Sequence, residues 1–130
     1  AIAAYSQILE SAPNNVNALN NLAWLLNETG KTNDAMMVIE KAYAASNDNV
    51  PVISTYASVL LSNGDYSRVV ALLSDIVRNK KSLSSMSFLN YAEALIKTGD
   101  KKEAKRILEG VDVSGDKLEA RKQRLLKSLK

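Results

Sequence analysis

Cysteine and histidine are both missing from the 130 residues of this chain. Without cysteine there is no disulfide, no thiolate metal ligand and no thiol nucleophile, and the redox compartment stays open. Without histidine the commonest general base and the commonest metal ligand are gone. Proline occurs twice, glycine five times, and tryptophan and phenylalanine once each. So few breakers point to mostly helical structure. No apolar run approaches the ~18 residues that would span a bilayer, and no basic stretch leads into an apolar one at the N-terminus as in a secretory leader. What remains is a chain with 46% hydrophobic and 24% charged residues, enough for one soluble unit with a modest core.

The organising feature is an echo. Asn21 to Gly30 reads N-L-A-W-L-L-N-E-T-G, Thr55 to Gly64 reads T-Y-A-S-V-L-L-S-N-G, and Asn90 to Gly99 reads N-Y-A-E-A-L-I-K-T-G. The three glycines stand 34 and 35 residues apart. A fixed period in this range marks stacked helical hairpins. Each glycine can close a helix in the left-handed conformation, and a short polar link and a second helix follow it. Ala23, Ala57 and Ala92 recur in the first helices, where a small side chain lets the partner helix approach. Ala35 and Ala104 do the same from the second helices, with Val69 as the larger variant.

In chain order, the apolar pattern predicts helices near 1–12, 16–29, 32–46, 51–63, 66–79, 84–98, 101–110 and 116–129. Pro51 suits a first helical turn, where its missing N–H is not needed. The stretch Asn79 to Ser82 is read as a loop that holds the extra residue of the second period. The final helix carries Leu118, Leu125, Leu126 and Leu129 on one face with charge elsewhere, as a terminal cap would. It is expected to cover the helix that bears Ile107 and Leu108. The first helix shows an apolar stripe of Ile2, Tyr5, Ile8 and Leu9. We read the chain as a segment of a longer protein that begins in the second half of a repeat, and weak self-association is expected through that stripe.

This spacing resembles the tetratricopeptide repeat, W-x-x-L-G-x-x-Y, then A-x-x-x-F, then P. The first repeat supplies Leu19, Leu22, Ala23 and Leu26, then Ala35 and Ile39. The second supplies Ile53, Tyr56, Ala57 and Leu60, then Val69 and Leu73. The third supplies Phe88, Tyr91, Ala92 and Leu95, then Ala104 and Leu108. Ala1, Tyr5 and Pro13 match the end of a preceding repeat. Leu19 replaces the family's large aromatic, and Asn47 and Lys81 stand where its closing proline is usual. The resemblance implies an all-α, right-handed superhelical solenoid of antiparallel hairpins. The expected division is one domain with a half-repeat at 1–15, repeats at 16–49, 50–84 and 85–115, and a capping helix at 116–130. The N-L-A-W-L-L wording is also similar to repeat proteins of bacterial envelope and exopolysaccharide systems, which leaves periplasm, envelope and cytoplasm all open.

The resemblance further implies a concave groove, lined by the first helices, that binds a peptide segment of a partner protein. Carried over by match, the lining is Asn17, Asn20, Asn21, Trp24 and Asn27 in the first repeat. It continues as Ser54, Thr55, Ser58, Leu61 and Ser62 in the second, and Met86, Leu89, Asn90, Glu93 and Lys97 in the third. Asparagine is a poor helix former, so a row of it on one helix calls for a reason. Its amide both donates and accepts, which suits a peptide backbone. Leu89 and Asn90 stand out as expected hot spots, with Trp24 next. Relatives that grip a C-terminal carboxylate use lysine and arginine where this chain has Asn20, Thr55, Met86 and Asn90, so that activity is not implied. A purely structural spacer within a longer superhelix is the alternative reading.

Other motifs have simpler explanations. Gly30-Lys31-Thr32 resembles the end of a phosphate loop, but Leu25 stands where the earlier glycine is needed and a helix precedes it. Asn27-Glu28-Thr29 forms a glycosylation triplet at a helix end. Asp100 and Glu103 sit where anions complement a helix N-terminus, and Asp112 and Asp116 have no third ligand nearby. Residues 1–50 hold two lysines against five acidic residues, a net −3, which leaves +6 for the remainder of a chain whose total is +3. The basic C-terminal third could contact nucleic acid. Its lysines and arginines alternate with Glu103, Glu109, Asp116 and Glu119, and no aromatic interleaves them to stack on bases, so this reading is disfavoured. Neither catalysis nor a cofactor nor a metal is expected.

Overall fold

A computed structural model describes residues 2–79 and 83–130. The expectations on Ala1, Lys81 and positions 80–82 of the predicted loop fall outside them. The described residues form eight helices: α1 (Ile2–Ser11), α2 (Val16–Glu28), α3 (Thr32–Ala45), α4 (Val50–Ser62), α5 (Tyr66–Arg78), α6 (Ser85–Thr98), α7 (Lys101–Gly110) and α8 (Asp116–Lys127). The observed bounds follow the predicted ones to within one or two residues. Among the described residues no helix is long and apolar enough to cross a membrane.

Local chemistry starts and stops the helices where the sequence says. Asn15, Asn49 and Ser84 each accept a hydrogen bond from the backbone N–H three residues on, at 3.0, 3.1 and 3.2 Å, which satisfies a donor the first turn leaves orphaned. Pro51 lies in the first turn of α4. At the other end, Gly30 and Gly99 adopt φ of 84° and 97°. Lys31 N–H then reaches Leu26 O at 2.8 Å and Asp100 N–H reaches Leu95 O at 2.8 Å. This closure of the last turn needs a residue free to enter the left-handed region.

Contacts group the chain into two compact units, Ala1–Gly64 and Asp65–Lys130. The boundary falls between α4 and α5, inside the segment 50–84 expected as one repeat. In the first unit α2 and α3 form a hairpin, α4 packs on both, and α1 packs on α2. Ala23 and Ala35 are fully buried, as the small-residue pattern requires, and Leu19, Leu22 and Ile39 fill the core with them. Burying a side chain the size of Ile39 stabilises the fold by about 1.5–3 kcal/mol. Tyr43 of α3 meets Tyr56 of α4 with ring centroids 5.2 Å apart and planes tilted by 60°. No residue of α1 is buried, and Ile8 is left exposed.

In the second unit α6 is central, packing against α5, α7 and α8. Val69 and Leu73 of α5, Leu89, Ala92 and Ala94 of α6, and Ala104 and Leu108 of α7 have no exposed surface. The last helix packs on α6 as well as on the expected α7. Leu125 is its one buried residue, with Leu118 and Leu126 half-buried. Polar ties fix the turn before it. Lys122 Nζ donates to Val111 O at 2.9 Å, and Ser85 Oγ donates to Asp112 O at 2.7 Å.

Candidate functional site

In the first unit the expected lining residues lie along two packed helices. Asn20, Trp24 and Asn27 follow one another at i, i+4 and i+7 on α2 and so share a face. All three are half-buried, whereas Asn17 and Asn21 are exposed. On α4, Ser54, Ser58 and Leu61 repeat the same spacing and are half-buried too, with Ser62 exposed and Thr55 buried. Trp24, the chain's only tryptophan, is thus flanked one turn either way by asparagine. The Oδ1 atoms of Asn20 and Asn27 are closed off from solvent and accept no hydrogen bond among the described residues. An acceptor buried without a donor costs about 1–3 kcal/mol. Two on one helix face, either side of a large aromatic, form a pattern that core packing alone does not call for. Their chemistry is to accept N–H bonds, which a peptide backbone supplies.

The second unit departs from expectation. Leu89 is fully buried and Asn90 is 3% exposed, so neither presents a surface to a ligand. The cause is α8. Arg121 donates from Nη2 to Asn90 Oδ1 at 2.8 Å and to Glu93 Oε1 at 3.2 Å. Glu93 is therefore an ion-pair partner of the last helix. Lys97 is exposed, with its Nζ 6.0 Å from the centroid of the Tyr66 ring, a cation–π contact. Of the five residues expected on α6, Met86 and Lys97 keep open surface.

Other singled-out residues have structural roles. Asp100 Oδ1 accepts from the Glu103 N–H at 3.3 Å and caps α7. Glu103 holds Arg106 through two 3.0 Å bonds to Nε and a further one to Nη2. This hydrogen bonding to Arg106 keeps the Glu103 carboxyl below its usual range, against the opposing effect of burial. Among the described residues no three acidic side chains gather closely enough to hold a metal ion.

A cavity of about 620 Å³ in the second unit was not foreseen. Val77 and Arg78 of α5, Phe88 and Tyr91 of α6, and Glu103 and Arg106 of α7 line it. Phe88 and Tyr91 occupy repeat positions that read as core. The sequence signal for the space is the short α7: it ends at Gly110, where a Cβ would meet nothing within 4 Å. Burial raises the pKa of the Tyr91 hydroxyl above 10.0, helped by the negative charges of Glu103 and Asp100 and opposed by Arg106 and Arg78.

Comparison with known families agrees with the geometry. The tetratricopeptide-repeat family described as Anaphase-promoting complex, cyclosome, subunit 3 matches residues 28–111, and the family described as Tetratricopeptide repeat matches residues 4–37. No curated protein matches the sequence at a significant level. Such repeat families are typically non-catalytic scaffolds, and their domains generally mediate protein–protein interaction. With helical hairpins at the expected period, and a match over more than half of its length, the chain belongs to the tetratricopeptide-repeat family.

Proposed function

We propose that this chain is a protein-interaction scaffold that takes a peptide segment of a partner along the α2–α4 face of its first unit. The observation that carries this reading is the pair of buried amide oxygens of Asn20 and Asn27 astride Trp24, which find no donor among the described residues. Main-chain N–H groups of an extended or helical segment would satisfy them. The Trp24 ring and Leu61 supply apolar contact, and Ser54 and Ser58 supply hydroxyls on the neighbouring helix. On α6, Leu89, Asn90 and Glu93 are taken up within the second unit.

The test uses opposite signs. Replacing Asn20 or Asn27 by leucine removes an unpaired buried acceptor and a poor helix former, so the free chain gains stability. If the amides serve a ligand, the same change loses affinity. Peptides selected by display on the intact chain are titrated calorimetrically against wild type, Asn20→Leu and Asn27→Leu. The expected result is a higher melting temperature with an affinity lower by about three- to tenfold per site. Lys105→Glu, on α7, should leave affinity unchanged. A spacer predicts that no peptide is selected. A nucleic-acid contact predicts that the Lys105 change, and not the asparagine changes, removes binding.

A further inference from the structure

We infer a second binding site, the cavity between α5, α6 and α7, for a partner peptide that carries a large apolar side chain next to an aspartate or glutamate. It is independent of the α2–α4 face. Its volume of about 620 Å³ lies in the range of ligand pockets, ~300–1,000 Å³. Val77, Phe88, Ile107 and Val111 give it an apolar wall. Few polar groups are set into that wall, as in pockets that orient a ligand. One is the hydroxyl of Tyr91, a lining residue.

Charge selects the acidic neighbour. Arg78 and Arg106 contribute to the lining from α5 and α7, against Glu103 alone. Among the described residues Arg78 pairs with Asp75, at 3.3 Å, with both side chains 72% exposed. An exposed pair of this kind is worth little, so an incoming carboxylate can take the guanidinium over. Arg106 gives Nε and Nη2 to Glu103 and keeps its Nη1 donors. The same geometry disfavours a nucleic acid. Glu103 stays ionised in the wall and repels a chain of phosphates, and the Tyr91 ring is too buried to offer a stacking face.

The probe is the capped dipeptide acetyl-Phe-Glu-amide, with acetyl-Phe-Gln-amide and a thymidine oligonucleotide as comparisons, titrated into the isotopically labelled whole chain by NMR. Acetyl-Phe-Glu-amide at millimolar concentration is expected to shift the amides of Val77, Tyr91, Ile107 and Gly110. It should bind about fivefold tighter than the glutamine form, the worth of one exposed ion pair. Arg78→Glu should erase that preference, and Ser74→Leu, which narrows the cavity, should weaken both peptides. Trp24→Ala should change nothing, which separates this site from the α2–α4 face. Absence of shifts at these residues overturns the proposal. So does equal binding of the two peptides, or displacement of the peptide by the oligonucleotide.

Discussion

Arg121 and Asn90 are 31 residues apart in sequence, yet a guanidinium nitrogen of Arg121 donates a 2.8 Å hydrogen bond to the Asn90 side-chain oxygen. The same nitrogen pairs with Glu93 at 3.2 Å, in side chains only 19% and 24% exposed. The last helix is thus pinned to α6 by a bond pattern made where water is scarce. Such charge-assisted bonds are stronger than neutral ones.

Arg121→Ala should therefore lower stability by about 1–3 kcal/mol, because it strips a nearly buried Asn90 of this donor and Glu93 of its ion partner. Urea denaturation measures the loss. Hydrogen exchange should show the added opening concentrated in 116–127, with α2 and α3 unchanged.

Removal of residues 116–130 is the stronger form of the same change. It takes Leu125 as well as Arg121 away from α6 and α7 and uncovers apolar surface. Aggregation or a large drop in melting temperature is expected. A truncated chain that stays monomeric with unchanged melting would show that α8 does not serve as a cap.

Leu89 separates packing from binding. It is fully buried on the central helix of its unit, so Leu89→Ala should cost about 2–5 kcal/mol. The effect should appear in thermal melting, with peptide affinity intact at temperatures where the variant is folded.

Stability should also fall at the alkaline end. The folded-state pKa of Tyr91 is raised above its ordinary 10.0, first by burial and then by Glu103 and Asp100. Folding therefore favours the protonated hydroxyl. That contribution is fully present below pH 10, where the unfolded chain is protonated too, and is lost as pH rises through the folded-state value. Melting curves between pH 9 and 11 should decline more steeply for wild type than for Tyr91→Phe. Glu103 acts in the opposite window, with a folded-state pKa lowered chiefly by its hydrogen bond to Arg106. Its small contribution is present above about pH 4.5 and fades as pH falls further.

The helices, their turns and most of the core were legible in the sequence, because they rest on local rules. Alanines 23 and 35, the glycines at 30 and 99, and leucines at helical spacing each act within a few residues of themselves. The α2 stripe of Asn20, Trp24 and Asn27 was legible for the same reason. Leu89 and Asn90 match groove-lining positions of the repeat, yet both are buried; the bond from Arg121 to Asn90 depends on where α8 settles, and a charged helix reads the same whether it lies on α6 or only on α7. The cavity escaped notice because three helices must be placed before the gap beside Phe88 and Tyr91 exists. That the Oδ1 atoms of Asn20 and Asn27 find no donor among the described residues is likewise a property of the assembled unit.

The most direct measurement is the emission of Trp24, the chain's only tryptophan, during titration with a display-selected peptide. The expected result is a saturable change in emission with the same Kd that calorimetry gives, and weakened in Asn20→Leu and Asn27→Leu. A peptide that binds by calorimetry while Trp24 emission stays flat and both asparagine variants keep full affinity would contradict the α2–α4 face as the binding site.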